Sequence, residues 1–251
     1  MSAITNVTRE YLETIYNLTV EGDPIVGARL AEKFGVSAPN VAEVLRRMQT
    51  NGLITMPGRG RGRAGEGIEL TEKGREEAEA LLRQHRLAER FLADVLGMDW
   101  VQAHEEAHHM ELGISPAIEE RLMRLLGNPR TCPHGNPIPG KSVDTLGYLR
   151  QQHAIRLNAV EEGTLMKVVL ISEVVEDESA LLNYLGQMHI MPGARATILS
   201  RGQDGSFQVK ITPRGNAPGE QLSAEEAATR TQTVSLTNDL AAKIWVTQTP
   251  S

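Results

Sequence analysis

Apolar residues recur along the first fifty positions at steps of three and four, the period of helices with one buried side. Leu12, Ile15 and Tyr16 predict a helix over about 8–19. Beyond the Gly22-Asp23-Pro24 turn, Val26, Leu30, Ala31 and Phe34 predict a shorter one, with Gly35 in the usual stop position. Ser37 is placed to cap a third helix, Pro39 is tolerated in its first turn, and Val41, Val44, Leu45 and Met48 form its apolar side. Leu53-Ile54-Thr55 and Gly67-Ile68-Glu69-Leu70 read as two strands around an arginine- and glycine-rich loop. Thr71 caps a long helix reaching Glu89 or as far as Val95, broken at Gly97, and two more helices follow over 100–110 and 115–126.

Further on the pattern changes. Residues 141–163 are polar and partly helical, a connector with some packing from Tyr148, Leu149 and Ile155. Strands are then predicted at 166–171, 194–199 and 207–211, with Gln203-Asp204-Gly205 as a hairpin turn. A short helix over 181–188 and a closing segment over 240–245 complete a small SH3-like barrel, with 215–229 as a polar, mobile loop. The fold class is mostly α with small β parts, divided at 1–75, 76–140, 141–163 and 164–251.

Helices two and three have helix-turn-helix spacing at Ala31, Gly35 and Val41, and the two strands add a hairpin wing. The chain as a whole is acidic, with 251 residues and a formal charge of -6. Yet between Glu43 and Glu66 it has no acidic residue, while Arg46, Arg47, Arg59, Arg61 and Arg63 are all present. Such a local excess suits phosphate contacts. Ser37, Pro39, Asn40 and Glu43 would face base edges from the front of the third helix, and the arginines would grip the backbone. Gly60–Gly65 matches G-x-G-x-x-G but opens no helix, so a dinucleotide reading fails.

The middle of the chain is crowded with metal-ligand chemistry. His85 and Glu89 lie four apart, and His104, His108 and Glu111 follow at steps of four and three, so each set shares one helix face. Glu10 and Glu13 could complete a shell from the first helix. His104-Glu105-Glu106-Ala107-His108 also matches H-E-x-x-H, but the extended peptidase pattern fails at Glu111 and Ile114, leaving a zinc peptidase as a rival reading. A metal-independent winged-helix regulator is the other. Apolar excess at Leu81, Leu82, Leu87, Phe91, Leu92, Ile118, Leu122 and Leu125 is read as a homodimer interface. Cys132, the lone cysteine, excludes an intrachain disulfide, suits a reducing cytosol, and reads as a loop residue outside the ligand set. With no signal pattern and no membrane-spanning apolar run, a cytoplasmic soluble protein is expected.

Cys132-Pro-His-Gly-Asn-Pro-Ile-Pro-Gly140, with Gln84–Arg90 and the winged helix before it, resembles the diphtheria toxin repressor (DtxR/MntR) family of metal-activated transcriptional repressors. The resemblance implies a helical metal-binding and dimerisation domain and a FeoA-type C-terminal domain. It places an ancillary metal site on His85, Glu89, His104 and Glu178, and a primary site on Glu10, His108 and Glu111, joined by Glu13 and His85 in manganese-sensing members. Two family ligands are missing, at Leu112 and Leu181, and His109 is a candidate substitute for the first. Oxygen and nitrogen donors alone suit Mn²⁺ or Fe²⁺, with manganese preferred and Zn²⁺, Co²⁺ or Ni²⁺ able to bind in vitro. The expected partners are double-stranded operator DNA and a second copy of the chain, with no membrane and no small organic substrate. The expected function is control of metal-homeostasis genes, not catalysis.

Overall fold

The computed structural model describes residues 5–56, 67–140, 145–175, 177–214 and 223–249. Helix α1 (Asn6–Glu21) is capped by the Thr5 hydroxyl and ends at Gly22, whose φ of 70° is left-handed. Helix α2 (Gly27–Phe34) stops at Gly35 as expected. Helix α3 (Ala38–Thr50) starts after Ser37, with Pro39 in its first turn, but the Ser37 side chain makes no capping hydrogen bond. The flanking segments pair as β1 (Ile54–Thr55) and β2 (Glu69–Leu70), an antiparallel ladder two residues long. Arg59, Arg61 and Arg63 lie outside the described residues.

Helix α4 (Glu72–Asp94) begins under the Thr71 cap and packs its first turns into the same core as α1 to α3. A Cβ at Gly74 would stand 1.8 Å from the Leu53 carbonyl oxygen, so only glycine lets α4 cross the ladder so closely. Helix α5 (Trp100–Met110) is capped by Asp99 and runs into a 3-10 turn at Glu111–Gly113. Helix α6 (Pro116–Leu125) is capped by Ser115. Leu81, Leu82, Leu87, Leu92 and Leu122 are all buried within the single chain, so most of the apolar surface ascribed to an interface is consumed internally. Ile118 and Leu125 remain exposed, as do Val95 and Leu96 at the end of α4.

The C-terminal part is built on a six-stranded antiparallel sheet. Helix α7 (Tyr148–Gln151) packs on the first core and leads into β3 (Ile155–Arg156). Then come β4 (Leu165–Ile171), α8 (Glu178–Gln187), β5 (Arg195–Arg201), β6 (Phe207–Thr212), α9 (Ala224–Arg230), β7 (Gln232–Leu236), α10 (Asn238–Ala241) and β8 (Ile244–Gln248). Strand order is β3-β8-β4-β5-β6-β7. The sheet therefore takes in Ile155 and Arg156 from the stretch read as connector, because β3 pairs with β8. Part of the expected loop over 215–229 is helical: Ser223 and Glu226 form a reciprocal capping box that starts α9. Residues 215–222 lie outside the described set. Trp100 and Val101 of α5 join the core of this sheet, fastening it to the helical middle.

Candidate metal centre

Helices α4 and α5 lie side by side, and i,i+4 spacing aims two pairs of ligands at one another. His85 stands between two carboxylates: its Nδ1 is 2.7 Å from Glu111 Oε2 and its Nε2 is 3.2 Å from Glu89 Oε1. The same Glu89 oxygen is 2.8 Å from His104 Nδ1. His104 Nε2 in turn looks toward Glu178 Oε1 at 3.6 Å, from the first residue of α8. Ring nitrogens of His85, His104 and His108 all lie within 4.8 Å of one another. Glu10 and Glu13 of α1 line the same open cavity, about 950 Å³, with these histidines, Glu111 and Glu178. The structure thus brings seven of the eight candidate ligands onto one cavity, with Glu89 behind them against His85 and His104, and His85 stands between the two ligand sets.

Charges in this cluster act strongly on one another. Burial alone would lower His85, but Glu89 and Glu111 hold it well above the usual imidazole value. Burial opposes ionisation of Glu89 as well, yet the surrounding histidines keep its pKa well below the carboxylate range. His104 rises to about 9, its burial outweighed by Glu178 and Glu89. His108 falls to about 4 through burial and the neighbouring His85 and His104. Glu13 is pushed up to about 7, mainly by burial.

A divalent cation fits this donor set. Glu13 Oε1, Glu89 Oε2 and Glu178 Oε1 are buried without a hydrogen-bond partner. Unsatisfied buried carboxylate oxygens are costly, and a cation among them removes that cost. Glu13, expected as a candidate ligand from the first helix, lines this cavity together with His85 and Glu111.

Several neighbours were not legible in advance. Arg9, one residue before Glu10, reaches Glu111 Oε1 at 3.2 Å. Arg86, almost wholly buried, donates to Glu173 Oε2, Asn17 Oδ1 and the Pro137 carbonyl. Cys132 and His134, from the loop after α6, are buried beside Glu89. His109 is exposed and absent from the cavity lining, where Leu112 occupies the rim. Glu105 is exposed and does not line the cavity, so the glutamate of the H-E-x-x-H match stands outside it while both histidines line it.

Helix α3 divides cleanly. Val41, Val44, Leu45 and Met48 are buried, while Ser37, Pro39, Asn40, Glu43, Arg46 and Arg47 are exposed. Glu43 pairs with Arg46 on the same face, which neutralises the carboxylate that would otherwise repel phosphate.

Fold and site together define a DNA-reading head joined to a helical body that holds a cation cavity. Models of the iron dependent repressor N-terminal DNA binding domain, the iron dependent repressor metal binding and dimerisation domain, and the FeoA domain match residues 3–60, 71–140 and 155–248. The chain belongs to the iron-dependent repressor (DtxR/MntR) family. It is 38% identical over 205 residues to the iron-dependent repressor IdeR of Mycobacterium tuberculosis, covering 79% of this chain and 86% of that one. It is 33% identical over 206 residues to the diphtheria toxin repressor of Corynebacterium diphtheriae, covering 80% and 88%. A solved manganese-dependent transcriptional repressor in complex with manganese superposes with a TM-score of 0.71 at 30% identity, over 96% of this chain and 99% of that one. The chain is therefore a metal-dependent, DNA-binding transcriptional repressor of a family whose members are not enzymes, and the peptidase reading falls. Among the described residues no helix is long and apolar enough to cross a membrane.

Proposed function

We infer that Mn²⁺ or Fe²⁺, with manganese preferred, is held by Glu10, Glu13, His85, Glu89, His104, His108, Glu111 and Glu178 and raises affinity for operator DNA. The observation that carries this reading is the buried, unpartnered oxygen of Glu13, on a helix of the DNA-reading head, in the cavity that His85 and Glu111 of the body also line. A cation bound there supplies the positive charge that lets these carboxylates and imidazoles converge. Glu10 and Glu13 then hold α1 to the body, and α1 shares its core with α3. Fixing α1 narrows the positions open to α3, a population shift toward the DNA-competent arrangement.

Ser37, Pro39, Asn40 and Glu43 read base edges in the major groove, while Arg46, Arg47, Arg59, Arg61 and Arg63 contact phosphates. The protein works in the cytoplasm as a homodimer on a two-fold operator, controlling metal-homeostasis genes. Val95, Leu96, Ile118 and Leu125, exposed at the ends of α4 and α6, are the apolar surface available for pairing. The functional units are the head (1–75), the metal-binding and dimerisation body (76–140), a connector (141–163) and the C-terminal domain (164–251), with β3 reaching back into the connector.

Selection from a random duplex library in Mn²⁺, followed by anisotropy titration of the selected site, tests the reading. Binding is expected to need Mn²⁺ or Fe²⁺, to vanish with chelator, and to lose at least about tenfold in Glu111→Ala, equivalent to about 1.4 kcal/mol. Chelator-insensitive binding overturns it.

A further inference from the structure

The buried loop after α6 carries chemistry that the regulatory set leaves unused. Cys132 Sγ lies 3.7 Å from His134 Nδ1 and 3.9 Å from Glu173 Oε1, and His134 Nδ1 lies 3.2 Å from Glu89 Oε1. All four side chains are buried, with Glu89 and His134 at 0% exposure. With bonds of about 2.3 Å to sulfur and about 2.0–2.1 Å to nitrogen or oxygen, a tetrahedral ion has ligand-to-ligand edges of about 3.3–3.6 Å. The three observed separations fall within about 0.3 Å of those edges.

Hydrogen bonding around the cluster points the same way. His134 Nε2 faces the Trp100 carbonyl at 3.3 Å, an acceptor only, so this nitrogen carries the proton. In the neutral ring Nδ1 is then a lone pair aimed at a thiol and a carboxylate. A metal-bound histidine is oriented in this manner, its second nitrogen donating to a backbone carbonyl. Glu173 is likewise divided: Oε2 accepts from Arg86 and Asn17, which fixes the carboxylate and leaves Oε1 turned toward Cys132. Glu89 adds a buried carboxylate whose Oε2 has no hydrogen-bond partner, the same orphaned oxygen that borders the regulatory donor set.

We propose that Cys132, His134, Glu173 and Glu89 form a second, sulfur-containing site for a divalent cation, distinct from the histidine cluster and selective for a borderline-soft ion such as Zn²⁺ or Co²⁺ over Mn²⁺. The thiol proton leaves on coordination, and the resulting thiolate sets the preference. Glu89 is shared with the regulatory ligands, so the two sites are neighbours. Cys132 and His134 belong to the loop, Glu89 to α4, and Glu173 to the segment after β4. An ion here ties the C-terminal domain to the helical body whether or not the regulatory cavity is filled.

The chain contains a single cysteine, which makes the test clean. Metal-stripped full-length protein is titrated with Co²⁺ under anaerobic, reducing conditions and followed by absorption. The expected result is a thiolate-to-Co²⁺ charge-transfer band in the near ultraviolet that Zn²⁺ removes and excess Mn²⁺ does not. Cys132→Ser should lack the band and bind one fewer ion by elemental analysis. Visible d–d bands without the near-ultraviolet band, or an unchanged ion count in Cys132→Ser, overturn the proposal. The wild-type spectrum decides the matter even where a variant folds poorly. Mn²⁺-dependent DNA binding is measured separately, so failure of this site and failure of the regulatory reading give different results.

Discussion

The guanidinium of Arg86 stands 2.8 Å from Glu173 Oε2 with both side chains buried, at 1% and 8% exposure. Asn17 bonds to both of them, so one polar trio joins α1, α4 and the segment after β4. Breaking a buried ion pair by removing one partner leaves the other charge stranded. Arg86→Met is therefore expected to lower unfolding free energy by about 3–5 kcal/mol, read from urea denaturation in the presence of chelator. A loss below about 1 kcal/mol would show that Glu173 finds another partner or a proton at little cost.

Stability of the metal-free protein should fall as pH rises. His104 titrates at about 9 when folded, above its usual 6.5, so the stability it contributes is complete below about pH 6.5 and is lost as pH rises through about 9. Glu13, raised from 4.5 to about 7 by burial, acts in the same direction over a lower range. A decline of about 1–3 kcal/mol between roughly pH 6 and 9 is expected in chelator. Mn²⁺ should reverse the slope, because ligand protons must leave before a cation binds. A flat profile in chelator counts against the charge assignments.

Glu105 faces solvent although it sits inside the H-E-x-x-H match. Glu105→Gln should leave Mn²⁺-dependent DNA affinity within about twofold of wild type, a difference of about 0.4 kcal/mol. A tenfold loss in the anisotropy titration would give this residue a place in the machinery that its orientation denies.

Arg47 lies on the exposed side of α3. Arg47→Ala should weaken binding about equally for all duplex sequences and reduce the salt slope by about one. A change in which base is preferred, found by repeating the selection, would mean that Arg47 reads sequence instead of phosphate.

Gly135 adopts a φ of 88°, and a Cβ there would stand 2.0 Å from the Val169 carbonyl oxygen. Gly135→Ala meets strained backbone and a backbone clash together, and a loss of at least about 2 kcal/mol is expected from thermal unfolding. A neutral outcome would mean that the loop can move away from β4.

Much of this molecule was legible because its helices announce themselves. Leu12, Ile15 and Tyr16, or Val41, Val44, Leu45 and Met48, repeat at helical spacing and are all buried. The same spacing exposed His85 with Glu89 and His104 with His108. Short elements were harder. β3 has two residues and no alternation to detect, and α9 is begun by a capping box inside a polar run. The apolar surface read as an interface was drawn too wide for a different reason: an apolar helix side looks the same whether it meets a neighbouring helix or another chain, and Leu87 and Leu92 meet neighbours within the chain while Ile118 and Leu125 stay exposed. Glu173 and Arg86 are far apart in sequence, so no local pattern could pair them. Cys132 and His134 were visible as a motif, but only the fold shows that they face Glu89.

Helix α4 starts at Glu72, presses Gly74 against the β1–β2 ladder in its first turn, and ends beside exposed Val95 and Leu96. At about 1.5 Å per residue, His85 and Glu89 sit roughly 20 Å from its first turn. A tilt of about 5° at the histidines therefore sweeps the far tip through roughly 2 Å, enough to shift a groove contact out of register. If the proposed cation binding holds, α4 is a lever whose fulcrum is built from imidazole and carboxylate, and its stiffness adds a second path, beside α1, from the ligands to the nucleic acid.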